Sequence, residues 1–140
     1  GLDVESFLDP DTGVGRICRA DLSLEELLER TGVLNPETLR VVNPREYVDR
    51  VAVVSGFGLS DKSLIMRAWS EGVSAYLSGD LTHGPAILGR NMDLTLIDAG
   101  HHATEMPGLH RLREVIEDFG VMAELLDTGT PWSEYRAAYI

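Results

Sequence analysis

His101, His102 and Glu105 fall close together in the stretch Leu94 to Glu105, which reads LTLIDAGHHATE. Imidazole and carboxylate in company bind borderline divalent ions such as zinc, iron or manganese, or serve as partners in proton transfer. His101 and Glu105 are four apart, so a helical turn beginning near Ala103 lets the pair face one point. The plainer reading is a strand-end histidine capping backbone groups and a glutamate favoured by the helix macrodipole. Asp80 follows Ser78-Gly79, with His83 three residues further on. Asp80, His83, His101, His102 and Glu105 together give more ligands or proton carriers than chance placement of the chain's histidines should give. Asp80 also reads as an N-cap of the helix that follows it. Gly56, Gly58 and Ser60 form a glycine-bearing loop of the kind that offers backbone N–H groups to an anion. It is not a Walker loop, it lacks the third glycine of a dinucleotide fingerprint, and no GxSxG elbow marks a serine hydrolase.

These groups need elements that carry them to one place. Val51 to Val54 is a β-branched apolar run of the type buried on both faces of a sheet, and Val73 to Leu77 and Leu94 to Asp98 are strand-like in the same way. A helix with Leu64, Ile65, Ala68 and Trp69 on one face separates the first two strands, and Pro85 to Gly89 reads as a short helix before the third. A helix opening at Pro107 and running to Phe119, then a fourth strand from Val121 to Leu126, complete the pattern. Ser23 and Glu26 form a capping box for a helix from Leu24 to Thr31 that ends at Gly32, and Leu39 to Val42 is a short strand candidate. The alternation predicts an α/β fold: a mainly parallel, three-layer sheet with helices on its faces. The loops SGFGLSD, SGDLTH and AGHHATE each follow a strand, so all three should emerge at one edge and converge on a pocket.

Residues 1–20 read as a loop-rich lead-in feeding a short strand from Val14 to Cys18, and look like the middle of a fold. Trp132, Tyr135 and Tyr139 would share one face of a terminal docking helix over residues 131–140. The whole chain, residues 1–140, reads as a single α/β domain, its length and 44% hydrophobic content sufficing for one core. A net charge of -11 argues against duplex nucleic acid and anionic membranes as partners. Cys18 is the one cysteine, so the chain alone builds no disulfide or thiolate cluster, and a reducing cytoplasm is the default. No apolar run approaches the ~18 residues of a membrane span.

Five stretches, in order and spacing, resemble the Nif-three family, whose members are also called dinuclear metal-centre proteins or GTP cyclohydrolase I type 2 homologues. They are GVGRI at Gly13 to Ile17, SLEEL at Ser23 to Leu27, VAVVSGFG at Val51 to Gly58, YLSGDLTH at Tyr76 to His83 and LIDAGHHATE at Leu96 to Glu105. The last is the specific one. The resemblance implies that His101 and Glu105 ligate a pair of divalent metal ions, with Asp80, His83 and His102 as candidates for proton transfer or outer support. It further implies a metal-dependent hydrolase, GTP cyclohydrolase-like, with a nucleotide substrate and a homo-oligomeric assembly. The remaining family ligands, a histidine pair and an aspartate, belong to an earlier half. The chain therefore resembles the carboxy-terminal portion of a larger two-part fold, its site completed by a missing amino-terminal half or a partner chain. The alternative is a non-catalytic metal-binding, scaffold or regulatory protein.

Overall fold

In the computed structural model, residues 1–133 are described; most of the expected aromatic terminal helix lies outside them, and Trp132, inside them, is exposed. The chain divides into two compact units, Gly1–Pro107 and a second from Gly108 onward.

The first unit holds a six-stranded sheet in the order β1-β2-β4-β5-β6-β3. Its strands are β1 (Asp3–Asp9), β2 (Val14–Ser23), β3 (Arg40–Val42), β4 (Tyr47–Val53), β5 (Ala75–Ser78) and β6 (Thr95–Asp98). β4, β5 and β6 are parallel neighbours, as the apolar runs predict, while β1, β2 and β3 join them antiparallel. Both central crossovers pass through helices, α2 (Lys62–Ser70) between β4 and β5 and α3 (His83–Asn91) between β5 and β6. Strand alternation sorts the core into two layers. Ile17, Ala52, Tyr76 and Leu96 pack with Leu64, Ile65 and Ala68 of α2 on one face, and Cys18, Val51, Ala75, Leu77 and Ile97 pack with Leu24 and Leu27 of α1 (Leu24–Thr31) on the other. The three-layer arrangement follows from this period of two.

The α1 boundaries agree with the capping-box reading: the Ser23 hydroxyl accepts from the Glu26 N–H at 3.2 Å and the Glu26 carboxylate accepts from the Ser23 N–H at 2.9 Å. Tyr76 is fully buried, its hydroxyl donating to the Gly58 carbonyl at 3.0 Å. Burial pushes its phenol upward, so it stays a neutral donor that ties the loop after β4 to β5.

Three local readings are corrected. Residues 3–9 are a strand, not a loop: Asp9, Thr12 and Gly13 do make a turn, closed by Gly13 N–H to the Asp9 carbonyl at 2.8 Å, but it joins two strands of a hairpin. β1 buries only Leu8, so the sequence carries no hydrophobic alternation to announce it; Glu5 instead ties it to Arg19 and Arg50. Helix α4 (His101–Asp118) begins six residues before Pro107, which lies inside it. Gly100, at φ +84°, turns the chain directly from β6 into the helix, so the histidines belong to its first turn and not to a connector. Finally, Val121 to Leu126 form no strand. Val121, Met122 and Leu126 are exposed, and the described residues of the second unit contain no strand against which a ladder could form.

Candidate metal centre

The parallel register of β5 with β6 aligns Ser78 with Asp98, so the two chains leave the sheet side by side. Two residues beyond Ser78 comes Asp80; three beyond Asp98 comes His101. The Asp80 carboxylate meets His101 Nδ1 at 2.7 Å, and His101 Nε2 lies 3.1 Å from Glu105 Oε1 one helical turn on. The imidazole thus stands between two carboxylates. Asp80 holds φ +63°, a left-handed conformation that costs a non-glycine residue energy and that here turns its side chain toward the histidine. It does not cap α3, whose N-cap is Thr82.

Close backbone approach fixes the loops. The Gly56 carbonyl accepts from the Gly79 N–H at 2.8 Å and lies 3.2 Å from the Ser78 hydroxyl. Gly56 N–H donates to Thr104 Oγ1 at 2.8 Å, and that buried hydroxyl in turn reaches the carbonyls of Gly100 and His101. Asp98, 4% exposed, is a second clamp, pairing with Arg40 and accepting the Gly100 N–H at 2.9 Å. TLID and GHHATE contain Asp98 and Thr104 without announcing these roles, because nothing in their spacing shows which backbone they will meet.

The structure therefore brings together Asp80, His101 and Glu105. His83 is exposed at the first residue of α3, and His102 lies roughly 100° round α4 from His101, since successive helical residues do not share a face. Glu105 also borders a cavity of about 500 Å³ whose lining includes Arg16, Val53, Val54 and Phe57.

The hydrogen bond to Asp80, helped by the charges of Asp80 and Glu105 and opposed by partial burial, holds the His101 imidazolium above the ordinary histidine value of 6.5. A raised pKa stabilises the fold below the unfolded value, and that contribution disappears as pH rises through the folded one. In metal-free protein, NMR titration should find His101 protonating above 6.5 and Asp80→Asn moving it back down. The stability lost in Asp80→Asn should be greatest at acidic pH and vanish above the elevated titration; a His101 that titrates identically in both proteins would contradict the geometry.

Among the described residues no three His, Cys, Asp or Glu side chains are disposed around one ion position. The reason is visible in the ring: Asp80 and Glu105 contact opposite nitrogens, so they cannot share an ion. The donors that can are His101 Nε2 and Glu105 Oε1. Atoms 3.1 Å apart are close enough together that both could ligate one divalent ion. Asp80 on Nδ1 would then be the carboxylate that fixes ring and tautomer of the ligating histidine. The pair fits half of a metal site.

Fold and site together define an α/β protein with an imidazole clasped between carboxylates at the carboxyl edge of its parallel strands. The chain belongs to the DUF34/NIF3 family (NGG1p interacting factor 3), whose pattern matches residues 1–128. It is 99% identical over 140 residues to a protein of Methanothermobacter thermautotrophicus named GTP cyclohydrolase 1 type 2 homolog, and covers all of this chain against 60% of that one. A Methanocaldococcus jannaschii protein of the same name is 39% identical over 108 residues, 76% of this chain and 43% of its own. Among solved structures, reduced HcgD from Methanocaldococcus jannaschii superposes with a TM-score of 0.72 at 37% identity over 84% of this chain and 47% of that one. The protein ybgI, of unknown function, reaches 0.80 at 25% identity over 94% and 53%. The chain thus spans from about two fifths to three fifths of the length of these relatives. No helix among the described residues is long and apolar enough to cross a membrane.

Proposed function

We propose that the chain supplies His101 and Glu105 to a divalent metal centre of zinc, iron or manganese in a hydrolase of this family, and that the remaining donors come from the part of the longer relatives this chain does not span. The observation that supports it most directly is the 3.1 Å approach of His101 Nε2 to Glu105 Oε1 with Nδ1 anchored on Asp80 at 2.7 Å. Two donors alone hold an ion weakly, since closed sites use about four.

A bound divalent ion would supply Lewis acidity and an acidified water for attack on a polarised C=N, amide or phosphate centre. The chain's own residues do the positioning. Asp80 keeps the His101 Nδ1 proton and presents Nε2; Thr104 and Asp98 hold the helix start against the loops after β4 and β5. The relatives' name points to a purine nucleotide as substrate, and the cavity beside Glu105 supports binding of a small molecule at that edge. A homo-oligomer and a cytoplasmic location belong to the same proposal.

The test uses the full-length Methanothermobacter relative. Metal analysis of the purified protein should find stoichiometric divalent ion, and its removal should abolish GTP turnover. A well-folded, metal-free protein would favour a scaffold or regulatory role instead.

A further inference from the structure

The glycine loop at Gly56 invites assignment as an anion cradle, but three of its amides are already spent: Gly56 N–H on Thr104, Leu59 N–H on the Gly79 carbonyl, Ser60 N–H on the Phe57 carbonyl. Another property of the same loop faces the site. A Cβ built on Gly56 would lie 2.5 Å from Glu105 Oε1 and 3.2 Å from both Glu105 Cδ and His101 Nε2. Oε1 and Nε2 are the two donor atoms, and the space between them and the loop is open only because residue 56 has no side chain.

We propose that Gly56 determines access to this site: by lacking a Cβ it lets the Glu105 carboxylate stand beside His101 Nε2 and leaves the approach to both atoms clear for a divalent cation. The inference rests on the metal reading for its consequence, but the steric part stands without it. The atom that a methyl group would strike is the far end of a flexible glutamate, so Gly56→Ala displaces Glu105 and spares the fold. Were the clash with backbone, the loop itself would have to move.

Gly56 has φ +71°, so alanine there also carries left-handed strain. Gly72 has the same φ of +71° with nothing within 4 Å of its Cβ position, and lies at the end of α2. Gly72→Ala therefore carries the strain without the clash. Both variants and the parent chain would be titrated with zinc alone against a competing chromophoric chelator, with circular dichroism melting to confirm folding. Gly56→Ala should weaken zinc uptake by more than about tenfold relative to Gly72→Ala, a loss of the size seen when a supporting contact is removed. In metal-free protein, long-range proton–nitrogen NMR of the imidazoles should show the His101 Nε2 resonance moved in Gly56→Ala and unmoved in Gly72→Ala. Equal zinc uptake in the two variants overturns the proposal, as does an unmoved Nε2 resonance. If the full-length relative takes up no zinc either, the metal reading fails, and the resonance still decides whether Gly56 sets the pair's geometry.

Discussion

Replacing either His101 or Glu105 with alanine should lower zinc affinity by more than about 100-fold, beyond what loss of an outer partner costs, while leaving the fold intact. The two side chains are 40% and 47% exposed, and exposed ion pairs contribute about 0–1 kcal/mol to stability, so neither substitution should unfold the chain. Glu117→Ala serves as the control, because it removes a carboxylate of the same helix that pairs with Arg113 instead. The measurement is competition for zinc, on the chain and on the full-length relative, with thermal melting alongside. Uptake unchanged in both His101→Ala and Glu105→Ala would end the metal proposal, whatever the relatives are named. Asp80→Asn should fall between parent and alanine variants, since it leaves both donors in place and only exchanges the carboxylate that orients the ring for a neutral amide, a weaker acceptor.

The second large effect is expected at Gly79 and concerns stability. A Cβ there would meet His101 N at 2.5 Å, Gly100 C at 2.6 Å and the Gly56 carbonyl oxygen at 2.6 Å. All three are backbone atoms of the other two loops, and none can rotate away as a side chain does. Gly79→Ala should therefore cost about 3 kcal/mol, the upper end of ordinary overpacking. For a chain of this size that is roughly 10 °C in melting temperature. Zinc affinity should fall with it, because parting the loops separates Asp80 from His101. Alanine at Gly84, where the nearest atoms are the flexible end of Lys62 at 3.6 Å, should leave stability nearly unchanged. A Gly79→Ala protein as stable as its parent would mean that the loops are not interlocked in solution.

The contrast between these positions shows how far the sequence can be read. Helix α1 was legible to the residue, because a capping box and a terminal glycine are local signals with local causes. The three central strands were legible because burial on both faces leaves unbroken apolar runs. His101 and Glu105 could be paired from spacing, since four residues make one turn wherever the helix is. Asp80 could be placed at the right edge but not against the ring: its contact with His101 depends on Ser78 aligning with Asp98, a register that two separated strands settle between themselves. β1 was invisible because it buries a single residue and is held by Glu5 with Arg19 and Arg50, which look like ordinary surface charges in the chain. Val121 to Leu126 erred in the opposite direction: its apolar residues lack a neighbouring strand, and composition cannot report a missing neighbour.

The strand order leaves β1 with a ladder partner on one side only. An open row of amides and carbonyls beside Val4 and Phe7, both more than 40% exposed, would invite another molecule to add its own strand. The register shift between Val4 and Ser6 breaks the flat run at its middle, and Asp3 and Asp9 place negative charge at its two ends. In this chain, straightening that kink and neutralising those acids should leave a flatter, less charged edge, and light scattering should then find more association through β1.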